Sequence, residues 1–115
     1  MNVDTFVDTN ILIYAYDTSI SEKHLIAQRI LESLWIIQNG IVSTQVLQEF
    51  YVNVTQKMDR LMSPEQAHKI VKKYILIWRV HTNTPETILL AFKIQMQHKL
   101  SFGDALIMAA AIQSN

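Results

Sequence analysis

The sequence predicts an α/β fold built on a short parallel sheet. Brief β-type runs occur at Phe6 and Val7, at Ile41 and Val42, and around 79–82, and long segments of helical periodicity separate them. That alternation is the pattern of parallel strands joined by helical crossovers. Apolar residues make up 50% of the 115 residues and charged residues 17%, enough to bury one real core and too little polarity for a disordered chain. With two glycines and two prolines there are no long flexible linkers and no glycine-rich phosphate loop, so a single domain over 1–115 is expected.

The first stretch, residues 3–16, reads as strand, polar turn and helix. Asp8, Thr9 and Asn10 form the turn, and in an open α/β sheet ligands bind beyond the carboxyl ends of the strands. A capping role for Asp8 or Asn10 explains the same residues without any chemistry. Asp17 to Ser21 is a polar break in which Ser19 or Ser21 can cap the next helix. Ile26, Ile30 and Leu34, beside Leu31 and Trp35, then repeat at helical spacing up to a stop at Asn39-Gly40.

After the strand at Ile41 and Val42, Ser43 and Thr44 can open a third helix. Its stripe is Val46, Leu47, Phe50, Tyr51 and Val54, and Gln45, Glu49 and Asn53 follow the edge of that stripe in steps of four. Residues 57–62 read as a connection. Ser63-Pro64-Glu65-Gln66 carries a hydroxyl cap, proline at the first helical position and the glutamine of a capping box. Thr84-Pro85 opens a fifth helix in the same manner, with Ile88, Leu89, Phe92 and Met96 expected on its buried side. Ala105 to Ile112 is apolar on nearly every face and is expected in the interior.

Composition narrows the chemistry. The absence of cysteine removes disulfides, thiolate metal sites and a thiol nucleophile, and His24, His68, His81 and His98 lack metal-ligand spacing. A net charge of zero gives no global footprint for a polyanion, which leaves a local basic group (Lys69, Lys72, Lys73 and Arg79) or a bound cation to hold one. Trp35 and Trp78 are candidates for stacking on bases, Trp78 being the more open beside Arg79. The sequence has neither a charged leader nor an apolar run long enough to cross a bilayer, so a cytoplasmic protein with no membrane partner is expected.

Three acids then stand out: Asp8 after the first strand, Glu49 on a helix edge, and Asp104 in the first turn of the last helix. Each has a plain structural role available, since Ser101 and Asp104 match a capping pattern and Glu49 can be a rim residue. If they converge, their mutual repulsion calls for a cation, and an all-oxygen set suits Mg²⁺ or Mn²⁺.

The stretches Phe-Val-Asp-Thr-Asn-Ile-Leu-Ile-Tyr-Ala-Tyr at 6–16, Gln-Val-Leu-Gln-Glu-Phe-Tyr at 45–51 and Ser-Phe-Gly-Asp-Ala-Leu-Ile-Met-Ala-Ala-Ala at 101–111 resemble the three acidic motifs of PIN-domain proteins, especially the VapC-type toxins of toxin–antitoxin pairs. The resemblance implies a three-layer α/β/α fold and a Mg²⁺- or Mn²⁺-dependent endoribonuclease, usually a homodimer and often inhibited by a cognate antitoxin. It implies Asp8 and Asp104 as principal metal ligands and Glu49 as a further ligand or one acting through water. Asn10 and Ser101 would orient ligands or substrate. Relative to that family the sequence is expected to lack the C-terminal strand and a fourth acidic position. Two other readings remain open: a PIN-like binding or dimerisation module without activity, and a phosphatase with an aspartyl nucleophile, for which Asn10 stands where a second aspartate is usual.

Overall fold

The computed structural model describes residues 4–114; Val3, at the head of the first stretch, and Asn115, at the end of the expected domain, lie outside the described residues. In chain order the elements are β1 Thr5–Phe6, α1 Thr9–Tyr16, α2 Ser21–Ile37, β2 Gly40–Ser43, α3 Thr44–Val52, α4 Pro64–Ile77, β3 Arg79–His81, α5 Pro85–Gln97 and α6 Phe102–Gln113. A π-helical turn, Asn53–Lys57, prolongs α3.

The three strands pair in the order β1-β2-β3, all parallel, with Phe6 opposite Ile41 and Val42 opposite Val80. Parallel crossovers are almost always right-handed, and two successive steps in the same direction put their helices on the same face of the sheet. The hydrophobic clusters divide accordingly. Val7, Val42, Leu12, Leu31, Leu34, Val46, Phe50, Tyr74 and Trp78 share the main core with α1 to α4, whereas Ala91, Ile94, Ala105 and Ala109 join α5 to α6. Side chains alternate along a strand, so Ile41, buried between Gly40 and Val42, faces the layer opposite to theirs. The result is the expected α/β/α sandwich around a narrow sheet.

The helix starts follow the sequence signals closely. Ser63 accepts from Gln66 N at 3.2 Å while Ser63 N donates to Gln66 Oε1 at 3.3 Å, a complete capping box. Ser43 accepts from Val46 N at 3.1 Å. Thr84 N donates to the buried Thr87 hydroxyl at 3.0 Å, which in turn donates to Gln113 Oε1 at 2.6 Å, so the start of α5 is tied to the end of α6.

Several local expectations are corrected. Neither Ser19 nor Ser21 caps α2; Ile20 holds the N-cap position and Ser19 pairs with Asp17 instead. The stop of α2 is taken by Gln38, the one non-glycine residue with positive φ (63°) among those described, and Gly40 is already a strand residue. On α2 the buried side is Ala27, Leu31 and Leu34, while Ile26 and Ile30 are exposed. On α5 it is Thr87, Ala91 and Ile94, and Ile88, Leu89, Phe92 and Met96 face outward. α6 is not an interior helix: Met108 and Ile112 are exposed beside buried Ala105, Ala109 and Ala110. Close contact between α5 and α6 selects their small residues, so apolar side chains that circle most of each helix cannot all be covered.

Trp78 is also corrected. It is buried, 5% exposed, at the edge of an aromatic group with Tyr74 and Trp35, with centroids 4.9 and 6.1 Å away. It cannot stack on a base. A Cβ at Gly40 would come within 2.6 Å of its indole ring, so the strand has glycine where the tryptophan lies across it.

Candidate active site

Because the strands are parallel, their carboxyl ends share one edge of the sheet, and each leads into a residue of interest. β1 leads to Asp8, β2 leads through Ser43 into α3 and Glu49, and β3 leads to Asn83. α6 approaches from the opposite layer and contacts β2, bringing its first turn and Asp104 toward the same edge.

Glu49 is the best-anchored of the three acids. Its Oε1 accepts from Thr9 Oγ1 at 2.7 Å and its Oε2 from Gln45 Nε2 at 3.3 Å. Thr9 is 6% exposed, so the hydroxyl that meets this carboxylate has left bulk water. The short distance is that of a hydrogen bond strengthened by the acceptor's charge. Gln45 Nε2 also donates to the Gly103 carbonyl at 3.1 Å, and a Cβ at Gly103 would lie 4.0 Å from Glu49 Oε2. Glu49 is thereby joined to the neighbour of Asp8 on one side and to the neighbour of Asp104 on the other.

Asp8 and Asp104 have the opposite character. Asp8 stands at the N-cap position of α1 with extended backbone, yet its side chain makes no capping bond. The capping explanation of this residue therefore fails. Ser101 caps α6, accepting from Asp104 N at 3.1 Å, but the Asp104 carboxylate does not complete a box. Both carboxylates are exposed and, among the described residues, neither makes a hydrogen bond or ion pair. Asn10 is exposed on the first turn of α1. As the side chains stand, no three acids or histidines among the described residues come close enough to share one ion.

Among the described residues, the other candidates are not bonded to the three acids. Lys69, Lys72 and Lys73 are exposed along α4, with Lys73 Nζ 5.1 Å above the Trp35 ring. Arg79 pairs with Asp4 at 3.2 Å. His24 and His81 contact the Tyr14 carbonyl and the Thr87 hydroxyl respectively. Sequence reasoning missed Thr9 and Gln45 as members of the site. The available signals were the adjacency of Thr9 to Asp8 and the four-residue step from Gln45 to Glu49.

A short parallel α/β sheet with acids distributed over its carboxyl edge defines the class of protein, and comparison gives it a family. The PIN domain family model matches residues 5–115, and the chain belongs to the PIN-domain family. Among solved structures it is similar to the crystal structure of Mycobacterium tuberculosis VapC20, a sarcin-ricin loop cleaving toxin, with a TM-score of 0.72 and 21% identity over 95% of this chain and 82% of that one. At that identity the likeness carries the fold. Comparison with curated protein sequences gives no match.

Proposed function

We propose that this protein is a divalent-metal-dependent endoribonuclease that hydrolyses RNA phosphodiester bonds, the toxin component of a toxin–antitoxin pair. The observation that carries the reading is the contrast among the acids. Asp8 and Asp104 leave their carboxylates uncommitted, while Thr9 and Gln45 hold Glu49 and tie it to the residues next to each of them in sequence. Membership of the PIN-domain family and the likeness to a toxin that cleaves the sarcin-ricin loop support it.

The donor set fits a hard cation. All candidate ligands are carboxylate oxygens, and no thiolate or histidine pair competes for a softer metal. Carboxylates drawn onto one site would repel one another unless a divalent cation offset their charge. Asp8 and Asp104 would hold Mg²⁺ or Mn²⁺, with Glu49 as a third ligand or an acceptor for coordinated water. When bound, such an ion offsets charge on the phosphodiester and activates water as the nucleophile.

The remaining residues orient. The Thr9 hydroxyl fixes Oε1 of Glu49 and Gln45 holds Oε2, whose second lone pair would be available to a water or an ion. Ser101 keeps the first turn of α6 formed, so the direction of the Asp104 side chain is set by the helix. Asn10 offers an amide donor to a phosphate oxygen. The chain acts in the cytoplasm as a homodimer held in check by a cognate antitoxin. Apolar surface suits both partners: Ile75, Leu76 and Ile77 are exposed at the end of α4, and a groove of about 920 Å³ runs between α3 and α4 past Leu47, Tyr51 and Val71.

Cleavage of RNA in Mn²⁺ or Mg²⁺ tests the proposal. The protein is expected to cut, and Asp8→Asn and Asp104→Asn are each expected to lower the rate by about a hundredfold or more, since losing only an outer partner of a metal ligand already costs about 10–100-fold. Circular dichroism should be unchanged. Cleavage retained in both variants would refute these roles. A protein that never cuts yet pairs with itself or an antitoxin would favour the binding module.

A further inference from the structure

We infer that Gln45 is a positioning residue that fixes the start of α6, and with it Asp104, relative to Glu49; the inference rests on the metal-site reading above. Its Nε2 donates to two acceptors, Glu49 Oε2 at 3.3 Å and the Gly103 carbonyl at 3.1 Å, the latter 58 residues away in sequence. A carboxylate and a carbonyl can only accept, so chemistry fixes which end of the amide faces them. The other end, Oε1, then accepts from Asn83 Nδ2 at 3.5 Å, which brings the segment after β3 into the same chain of bonds.

The fold creates the need for this tie. Asp104 belongs to the α5–α6 layer, whose buried cluster is Ala91, Ile94, Ala105 and Ala109; Asp8 and Glu49 belong to the layer built on the main core. Ile107, one turn further along α6, is partly buried against that main core, but it carries no directional bond to the acids. The contact of Gln45 with Gly103 falls at the residue directly before Asp104, so it controls where this carboxylate starts. Partners that act through a metal ligand typically change affinity by about 10–100-fold when removed.

The test uses the whole chain and Mn²⁺ alone as probe. Gln45→Met keeps the length of the side chain and removes its hydrogen bonds. It is expected to weaken Mn²⁺ binding, measured by calorimetry, about tenfold, with the melting temperature nearly unchanged. The two glycines supply an internal control in the metal-free protein, because their amide cross-peaks report on opposite ends of the fold. That of Gly103 should shift and that of Gly40 should stay. Should Gln45→Met fold poorly, Gln45→Asn, polar but one methylene too short to reach both acceptors, carries the same expectation.

Unchanged Mn²⁺ affinity in these variants, or equal movement of both glycine signals, would overturn the role of Gln45 while leaving the metal site intact. No Mn²⁺ binding by the unsubstituted protein would instead overturn the metal-site reading, and this inference with it.

Discussion

At the scale of single residues, the site is an arrangement of one restrained acid and two unrestrained ones. The restraint on Glu49 starts with Thr9, whose hydroxyl sits 2.7 Å from Oε1 and is almost wholly buried. Thr9→Val keeps the shape and removes the donor. Hydrogen bonds to charged groups are worth about 1.5–3 kcal/mol, and half-buried Glu49 retains some access to water, so a stability loss near the low end, about 1.5 kcal/mol, is expected in chemical denaturation. RNA cleavage should fall by about tenfold or more, as for other partners of metal-site residues. A Thr9→Val protein that cuts normally would show that Glu49 needs no such anchor. Asp8 illustrates the limit of reading residues from sequence. Its position satisfies the rule for an N-cap, and only the absence of the capping bond separates a ligand candidate from a structural aspartate.

At the scale of elements, the order and type of strands and helices were legible because their punctuation is strong. Ser63-Pro64 and Thr84-Pro85 open helices where expected, and Ser43 and Ser101 cap theirs. Which face each helix buries was much less legible. On α5 the apolar residues Ile88, Leu89, Leu90, Ala91, Phe92, Ile94 and Met96 leave no single stripe, and the large ones draw the eye. Packing instead chose Ala91 and Thr87, which let α5 approach α6 closely. Trp78 was misread for a related reason: an adjacent charged residue suggested exposure, but Arg79 alternates to the other side of the strand and the indole lies over Gly40. Gly40→Ala places a methyl group 2.6–2.7 Å from three indole atoms held by Tyr74 and Trp35. Overpacking of a fitted core costs about 1–3 kcal/mol, and thermal or urea unfolding should register a loss of that size. An alanine variant as stable as the original would mean the aromatic group yields more readily than its packing indicates.

At the scale of the whole molecule, two packing layers meet at one sheet edge, and the acids are distributed between them. The sequence carried the meeting of these segments only as an expectation, because nothing in the spacing of Asp8, Glu49 and Asp104 reveals that Gln45 bridges the Glu49 helix to the residue before Asp104, and as the side chains stand the three carboxylates do not gather at one point. The main core also holds a group that is expected to weaken the fold at alkaline pH. Burial, reinforced by the neighbouring Tyr16 hydroxyl, holds the Tyr74 phenol protonated well above its ordinary range. In the unfolded chain it ionises at about pH 10. Its contribution is thus fully present below pH 10 and is lost as pH rises further, because the unfolded state then gains by releasing a proton that the folded state keeps. The slope approaches about 1.4 kcal/mol per pH unit for one such group. Melting curves between pH 9 and 11 should show the decline, and Tyr74→Phe should flatten it; an unflattened curve would assign the alkaline transition to other groups.

The central claim is that carboxylates from the two layers act together on one divalent ion. Calorimetric titration with Mn²⁺, carried out on the unsubstituted protein and on Asp8→Asn and Asp104→Asn, tests it most directly. The account predicts binding by the first that is weakened at least tenfold by either substitution, since each removes one of the proposed ligands. Equal binding by all three proteins, or binding by none, would contradict it.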